Sequence, residues 1–186
     1  HLSIRRQRQM CIRDSISKID AAVERIAHLR EAVGSALDIA VDFHGRVHGP
    51  MAKTLIHAIE PYSPLFIEEP VLTEHLDTMA DLRRQTHVPI ATGERMFSRF
   101  DFKELFTLGA ADIIQPDLSH AGGITECKKI ADMADLGYRT RPPLPARPHR
   151  AGCLFTGRCS LSERLYSRTK SGYSLCLLYT SDAADE

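Results

Sequence analysis

The chain has no surplus of charge of either sign, its 24 Lys and Arg balancing 24 Asp and Glu. It therefore lacks the basic excess on which nucleic-acid binding rests. No run of about 18 apolar residues is present to span a bilayer, and no apolar stretch follows Arg5, Arg6 and Arg8 to complete a secretory signal. A cytoplasmic protein without nucleic-acid or membrane partners is expected. The five cysteines, Cys11, Cys127, Cys153, Cys159 and Cys176, form no CxxC pair, which argues against a structural zinc site. What is present is 186 residues, enough for one domain with a sizeable core.

That length does not read as one protein. After Tyr138 a periodic sequence gives way to a stretch dense in Arg and Pro, from Arg139 to His149, with neither helix nor strand period. It could be a disordered tail, but a slipped reading frame explains it better. Arg139 to Leu144 can be written in codons that, read one nucleotide later, give Ala-Leu-Ala-Pro-His, and the same shift yields a sensible protein string through Tyr173. The ends, His1 to Ser15 and Cys176 to Glu186, resemble translated sequencing-adapter sequence. Residues 1–15 and 176–186 are accordingly set aside as non-native and 139–175 as out of frame and disordered. Cys127 is then the one cysteine left to interpret, as a buried or half-buried helix residue.

From Ile16 to Tyr138 short apolar runs alternate with amphipathic stretches. The spacing predicts helices over Asp20 to Val33, Pro50 to Glu60, Thr73 to Thr86, Arg99 to Leu108 and Ile124 to Leu136. Strands are predicted over Leu37 to Val41, Leu65 to Ile67, Pro89 to Ala91 and Asp112 to Ile114. Gly34 and Gly109 can end helices, and Pro50 suits a first helical turn. This alternation implies βαβ units, an α/β fold with a parallel sheet.

An acid follows each strand: Asp42, Glu68, Glu94 and Asp117, spaced 26, 26 and 23 residues apart. One such acid is most often a helix cap or a solvated loop residue. Four in register call for another reading, because in a (β/α) barrel the C-terminal ends of successive strands surround one mouth. Carboxylates crowded there repel one another unless a cation intervenes, and an all-oxygen set suits magnesium or manganese better than zinc.

The motifs VDFHGRVHGPMAK (Val41 to Lys53), FIEEP (Phe66 to Pro70), PIATGERMFSRFDF (Pro89 to Phe102) and DIIQPDLSHAGGITE (Asp112 to Glu126) carry a resemblance to the mandelate racemase branch of the enolase superfamily. Among its members the sequence is most similar to dehydratases acting on D-galactonate. The resemblance covers about two thirds of the chain and implies a partial TIM-type (β/α) barrel, the superfamily's C-terminal domain. It further implies that Asp42, Glu68 and Glu94 bind Mg2+ and that His44 is the general acid. Asp117 would partner a second, basic histidine. That histidine is absent from the translated frame but encoded one nucleotide away, across Pro143 and Leu144; a later active-site Glu is recoverable across Arg168 and Thr169.

The implied reaction removes the proton α to a sugar-acid carboxylate and eliminates the β-hydroxyl, giving a 2-keto-3-deoxy acid in a parent expected to be homo-oligomeric. The chain itself, without the base, later strands and a capping domain, is expected to be inactive and poorly soluble. Alternatives are another dehydratase or racemase of the branch, a degenerate non-catalytic protein, or a metal-dependent binding module. Glu69 is expected to support Glu68 through a hydrogen bond or ion pair. His28, His48, His57 and His87 are read as surface residues, and His120 as a residue near the mouth.

Overall fold

The computed structural model describes residues 16–139, 152–153 and 174–179. The expected adapter-like N-terminus and most of the out-of-frame stretch lie outside these residues. Two strands, Gly152–Cys153 and Ser174–Tyr179, fall within the portions set aside.

Helices and strands alternate in the order α1 (Ile16–Val33), β1 (Leu37–Asp42), α2 (Gly49–Ile59), β2 (Phe66–Glu68), α3 (Leu76–Gln85), β3 (Ile90–Thr92), α4 (Arg99–Leu108), β4 (Ile113–Ile114), α5 (Ile124–Arg139), β5 (Gly152–Cys153) and β6 (Ser174–Tyr179). All sheet pairings are parallel, in the order β5-β4-β3-β2-β1-β6. From β1 to β4 each strand lies beside its successor, and each helix from α1 to α5 packs on the next. From β1 to β5 the strands follow one another in sequence order, as they do in a barrel, and β6 lies on the other side of β1.

Strand alternation separates two cores. Ile39, Val41, Ile67, Ile90 and Ile114 join a large cluster with helix residues Ile26, Ile56, Met79, Phe102, Leu105 and Ile130. Ala40, Phe66 and Ala91 form a smaller cluster of their own, with Leu65 and Ile113 against it. The two sets take alternate positions along each strand, so they occupy opposite faces of the sheet. Cys127 is buried in the first cluster, as its apolar character suggests.

Local chemistry sets the boundaries. Pro50 occupies the first turn of α2, where its missing N–H has no partner to lose. Pro61 then ends the α-helix, and Glu60–Tyr62 continues as a 3-10 turn. The stretch predicted as one helix over Thr73 to Thr86 begins instead as a 3-10 turn, Thr73–His75, before α3. Its lead-in, Leu72, is extended (ψ 148) and packs tightly on Gly45, where a Cβ would meet Leu72 Cδ2 at 2.8 Å. A tertiary contact overrides the local period there.

Helix α4 matches its predicted bounds because both ends carry caps. Ser98 accepts a hydrogen bond from Phe100 N–H, and Gly109 takes the left-handed conformation (φ 63) with its N–H on Leu105 O. Replacing Ser98 with Ala is expected to cost about 1 kcal/mol, read as a lowered urea midpoint at unchanged m-value. No helix among the described residues is long and apolar enough to cross a membrane.

Candidate metal centre

Asp42 lies two residues beyond Ala40, and Glu68 two beyond Phe66, so both follow the small inner cluster rather than the helix-side core. The β1–β2 register pairs Asp42 with Glu68, setting the carboxylates side by side at the strand ends. Asp42 is 3% exposed and Glu68 8%. Glu94 arrives differently. Strand β3 ends at Thr92, and Glu94 sits on a turn closed by Met96 N–H on Gly93 O (3.1 Å). Gly93, at φ 141, permits this turn to run against the next strand end: a Cβ there would lie 2.9 Å from Gln115 N.

His44 lies between the acids. Its Nδ1 is 3.4 Å from Asp42 Oδ2 and 3.5 Å from Glu94 Oε1, and its backbone N–H donates to Asp42 Oδ1 at 2.6 Å. Its backbone is left-handed (φ 51), as is that of Glu69 (φ 39). A non-glycine residue held there costs on the order of 1 kcal/mol or more. The two are tied together by Gly45 N–H on Glu69 O at 2.8 Å.

Arg95, which the sequence reading did not single out, fastens three loops. Its Nε is 3.2 Å from Glu69 Oε2 and 3.7 Å from Glu94 Oε1, and its Nη2 donates to His44 O at 3.1 Å. Only its place beside Glu94 in the sequence could have pointed to it. Glu69 thus makes an ion pair, although neither of its buried carboxylate oxygens has a hydrogen bond of good geometry.

The tightest grouping differs from the expected ligand set. Single ligand atoms of His44, Glu69 and Glu94 all lie within 4.8 Å of one another. Since Glu69 already faces the Arg95 guanidinium, its charge has a counterion within the protein.

Electrostatics show how crowded these acids are. Burial, with the neighbouring Asp42 and Glu94 charges, pushes the Glu68 carboxyl up to about 7 against a hydrogen bond from Gln115 that opposes the rise. Burial raises Glu69 to about 8 despite Arg95, with Glu94, Asp42 and Glu68 adding to the rise. Asp42 is also raised, chiefly by burial, while contacts with His44 pull the other way. Acids whose ionisation is opposed by burial and by one another fit a hard divalent cation.

Asp117 is buried at 4% exposure, and its Oδ1 accepts the N–H groups of Ser119 (2.7 Å) and His120 (2.9 Å). It shapes the loop between β4 and α5. The basic histidine expected beside it would be encoded outside the present frame. His28, His48, His57 and His87 are all exposed.

Residues 4–140 match the family model described as Enolase C-terminal domain-like. The chain is 58% identical over 156 residues to the D-galactonate dehydratase of Ralstonia nicotianae, covering 83% of this chain and 41% of that protein. With the D-galactonate dehydratase of Pectobacterium atrosepticum it shares 61% identity over 148 residues, 78% of this chain and 39% of the relative. The chain thus spans about two fifths of the length of these relatives. Among solved structures, the L-talarate dehydratase of Polaromonas sp. JS666, complexed with Mg and L-glucarate, superposes with a TM-score of 0.65 at 28% identity, over 74% of this chain and 41% of that one. The parallel sheet in which β1 to β5 follow in order, the acids at successive strand ends and these matches agree: the chain belongs to the enolase C-terminal domain-like family, as part of its (β/α) barrel.

Proposed function

We propose that the protein of which this chain is a part dehydrates a sugar acid with the help of Mg2+, converting D-galactonate to 2-dehydro-3-deoxy-D-galactonate and water. The observation that carries this reading is the placement of His44 Nδ1 within 3.5 Å of both Asp42 and Glu94, in a group of acids whose ionisation burial resists. The similarity to two D-galactonate dehydratases supports the choice of substrate.

In this reading Asp42, Glu68 and Glu94 hold the cation. Bound there, Mg2+ supplies Lewis-acid stabilisation, worth several kcal/mol, of the charge that develops on the substrate carboxylate as the α-proton leaves. His44 keeps Nδ1 toward the carboxylates, which leaves Nε2 to protonate the departing β-hydroxyl. Arg95 holds the His44 carbonyl and so fixes where that ring stands. Asp117 would orient the basic histidine restored by a one-nucleotide shift across Pro143 and Leu144. The reading therefore includes residues 139–175 being out of frame, and the present chain lacking turnover.

Resequencing the source DNA across the codons for Leu136 to Pro145 comes first, followed by assay of the restored gene product on D-galactonate and other six-carbon sugar acids. The expected result is a restored frame, release of a 2-keto-3-deoxy acid from D-galactonate, and loss of that activity on chelation. Turnover of a different sugar acid would revise the substrate and keep the reaction class. Turnover unaffected by chelation, or none on any of these acids, would overturn the reading.

A further inference from the structure

Asp42 and Glu68 end strands and are placed by ladder register, but Glu94 is carried on a turn two residues past β3, and its side chain is 35% exposed. Something other than the sheet must hold it. Beside the Gly93–Met96 turn and the Arg95 contact, one more hold comes from the neighbouring loop: His120 Nδ1 lies 3.0 Å from the backbone carbonyl oxygen of Glu94. A carbonyl only accepts, so Nδ1 carries the hydrogen and donates it. The ring also lies against Phe97, centroid to centroid 5.6 Å, on the same loop as Glu94. His120 is itself delivered by Asp117, whose Oδ1 accepts the His120 N–H at 2.9 Å and whose carbonyl accepts Ala121 N–H at 2.8 Å. Asp117, His120 and the Glu94 backbone thus form one connected chain across the ends of β3 and β4.

We infer that His120 is a positioning residue for cation binding: by donating from Nδ1 to the Glu94 carbonyl, it sets the turn that presents the Glu94 carboxylate beside Asp42 and Glu68. The inference rests on those three acids holding the cation. It gives an exposed histidine a role that does not require it to touch metal or substrate. Groups of this kind, which orient the ligands without binding the metal, typically contribute ten- to a hundredfold in metal affinity.

The test is direct titration of the 186-residue chain with Mn2+ by calorimetry, with far-UV circular dichroism recorded on each variant. Three proteins are compared with the unaltered chain: His120→Ala, His120→Asn and Asp42→Ala. An asparagine side-chain amide can place a donor N–H where Nδ1 stood; alanine cannot. Expected are a roughly ten- to hundredfold weaker Mn2+ affinity for His120→Ala, near-native affinity for His120→Asn, and unchanged spectra. Equal affinity of His120→Ala and the unaltered chain would overturn the inference. So would equal weakening by both His120 variants, because the donor would then not be what matters. If Asp42→Ala binds as well as the unaltered chain, or the unaltered chain does not bind Mn2+, the three-acid site itself fails and this inference falls with it.

Discussion

Raising the pH of the metal-free chain from about 4.5 to about 8 is expected to weaken its fold, and adding Mg2+ is expected to reverse much of the loss. Unfolded, the carboxyls of Glu68 and Glu69 titrate near 4.5; folded, they are pushed up to about 7 and about 8. Between these limits the folded state holds protons that the unfolded chain has released, so stability falls with rising pH. What these two groups contribute is fully present below about 4.5 and is lost as the pH climbs through 7 and 8. A shift of this size corresponds to a few kcal/mol per group at most. A cation that binds only the folded state adds about 2.7 kcal/mol at a hundred times its dissociation constant, and it binds better as the acids ionise. Urea midpoints at pH 5 and pH 8, with and without Mg2+, check this. Glu68→Gln should flatten the metal-free slope; a stability that instead rises over this range would show the acids to be better compensated than burial implies.

Replacing Asp112 with Ala is expected to cost about 3 kcal/mol, the low end for breaking a buried ion pair. Arg83 on α3 donates from both Nε (2.9 Å) and Nη2 (2.7 Å) to Asp112 Oδ1, and from Nη1 to Gly109 O. The second Asp112 oxygen accepts Ile90 N–H at 3.0 Å. One carboxylate therefore joins α3, the start of β3 and the loop before β4, with both partners only 14% exposed. Alanine leaves a mostly buried guanidinium and a strand N–H short of an acceptor. Asp112→Asn keeps an acceptor and should lose less. A change below 1 kcal/mol for Asp112→Ala in chemical denaturation would mean that solvent replaces the carboxylate at little cost.

The elements legible in the sequence were those fixed by local chemistry. The predicted bounds of α4 match because Ser98 and Gly109 cap it, and β1 to β4 match to within about a residue because each is a short apolar run with punctuation beside it. The four acids could be picked out because they recur at the strand-end phase, although Glu94 proved to stand on a turn beyond its strand. What could not be read came from contacts between residues distant in sequence. The 3-10 start before α3 follows from Leu72 against Gly45, and Arg95 reaches a carbonyl 51 positions away. His120 was placed near the mouth by sequence, but its bond to the Glu94 carbonyl depends on the turn that β3 makes, which no periodicity encodes.

The order of the sheet also bears on how the chain assembles. The pairings that build the acid cluster join residues close in sequence: Ala40 with Phe66, Ile67 with Ile90, Ala91 with Ile113. The pairing of Leu37 with Ser174 instead spans 174 − 37 = 137 positions. Closing a flexible loop that long costs about 4 kcal/mol in its length-dependent part alone. Contacts of short range therefore gain first, and β1 to β4 with their carboxylates can zip up in sequence before the edge strand docks. The acid cluster is thus a product of nearest-neighbour folding, and it should outlast a loss of the β6 edge.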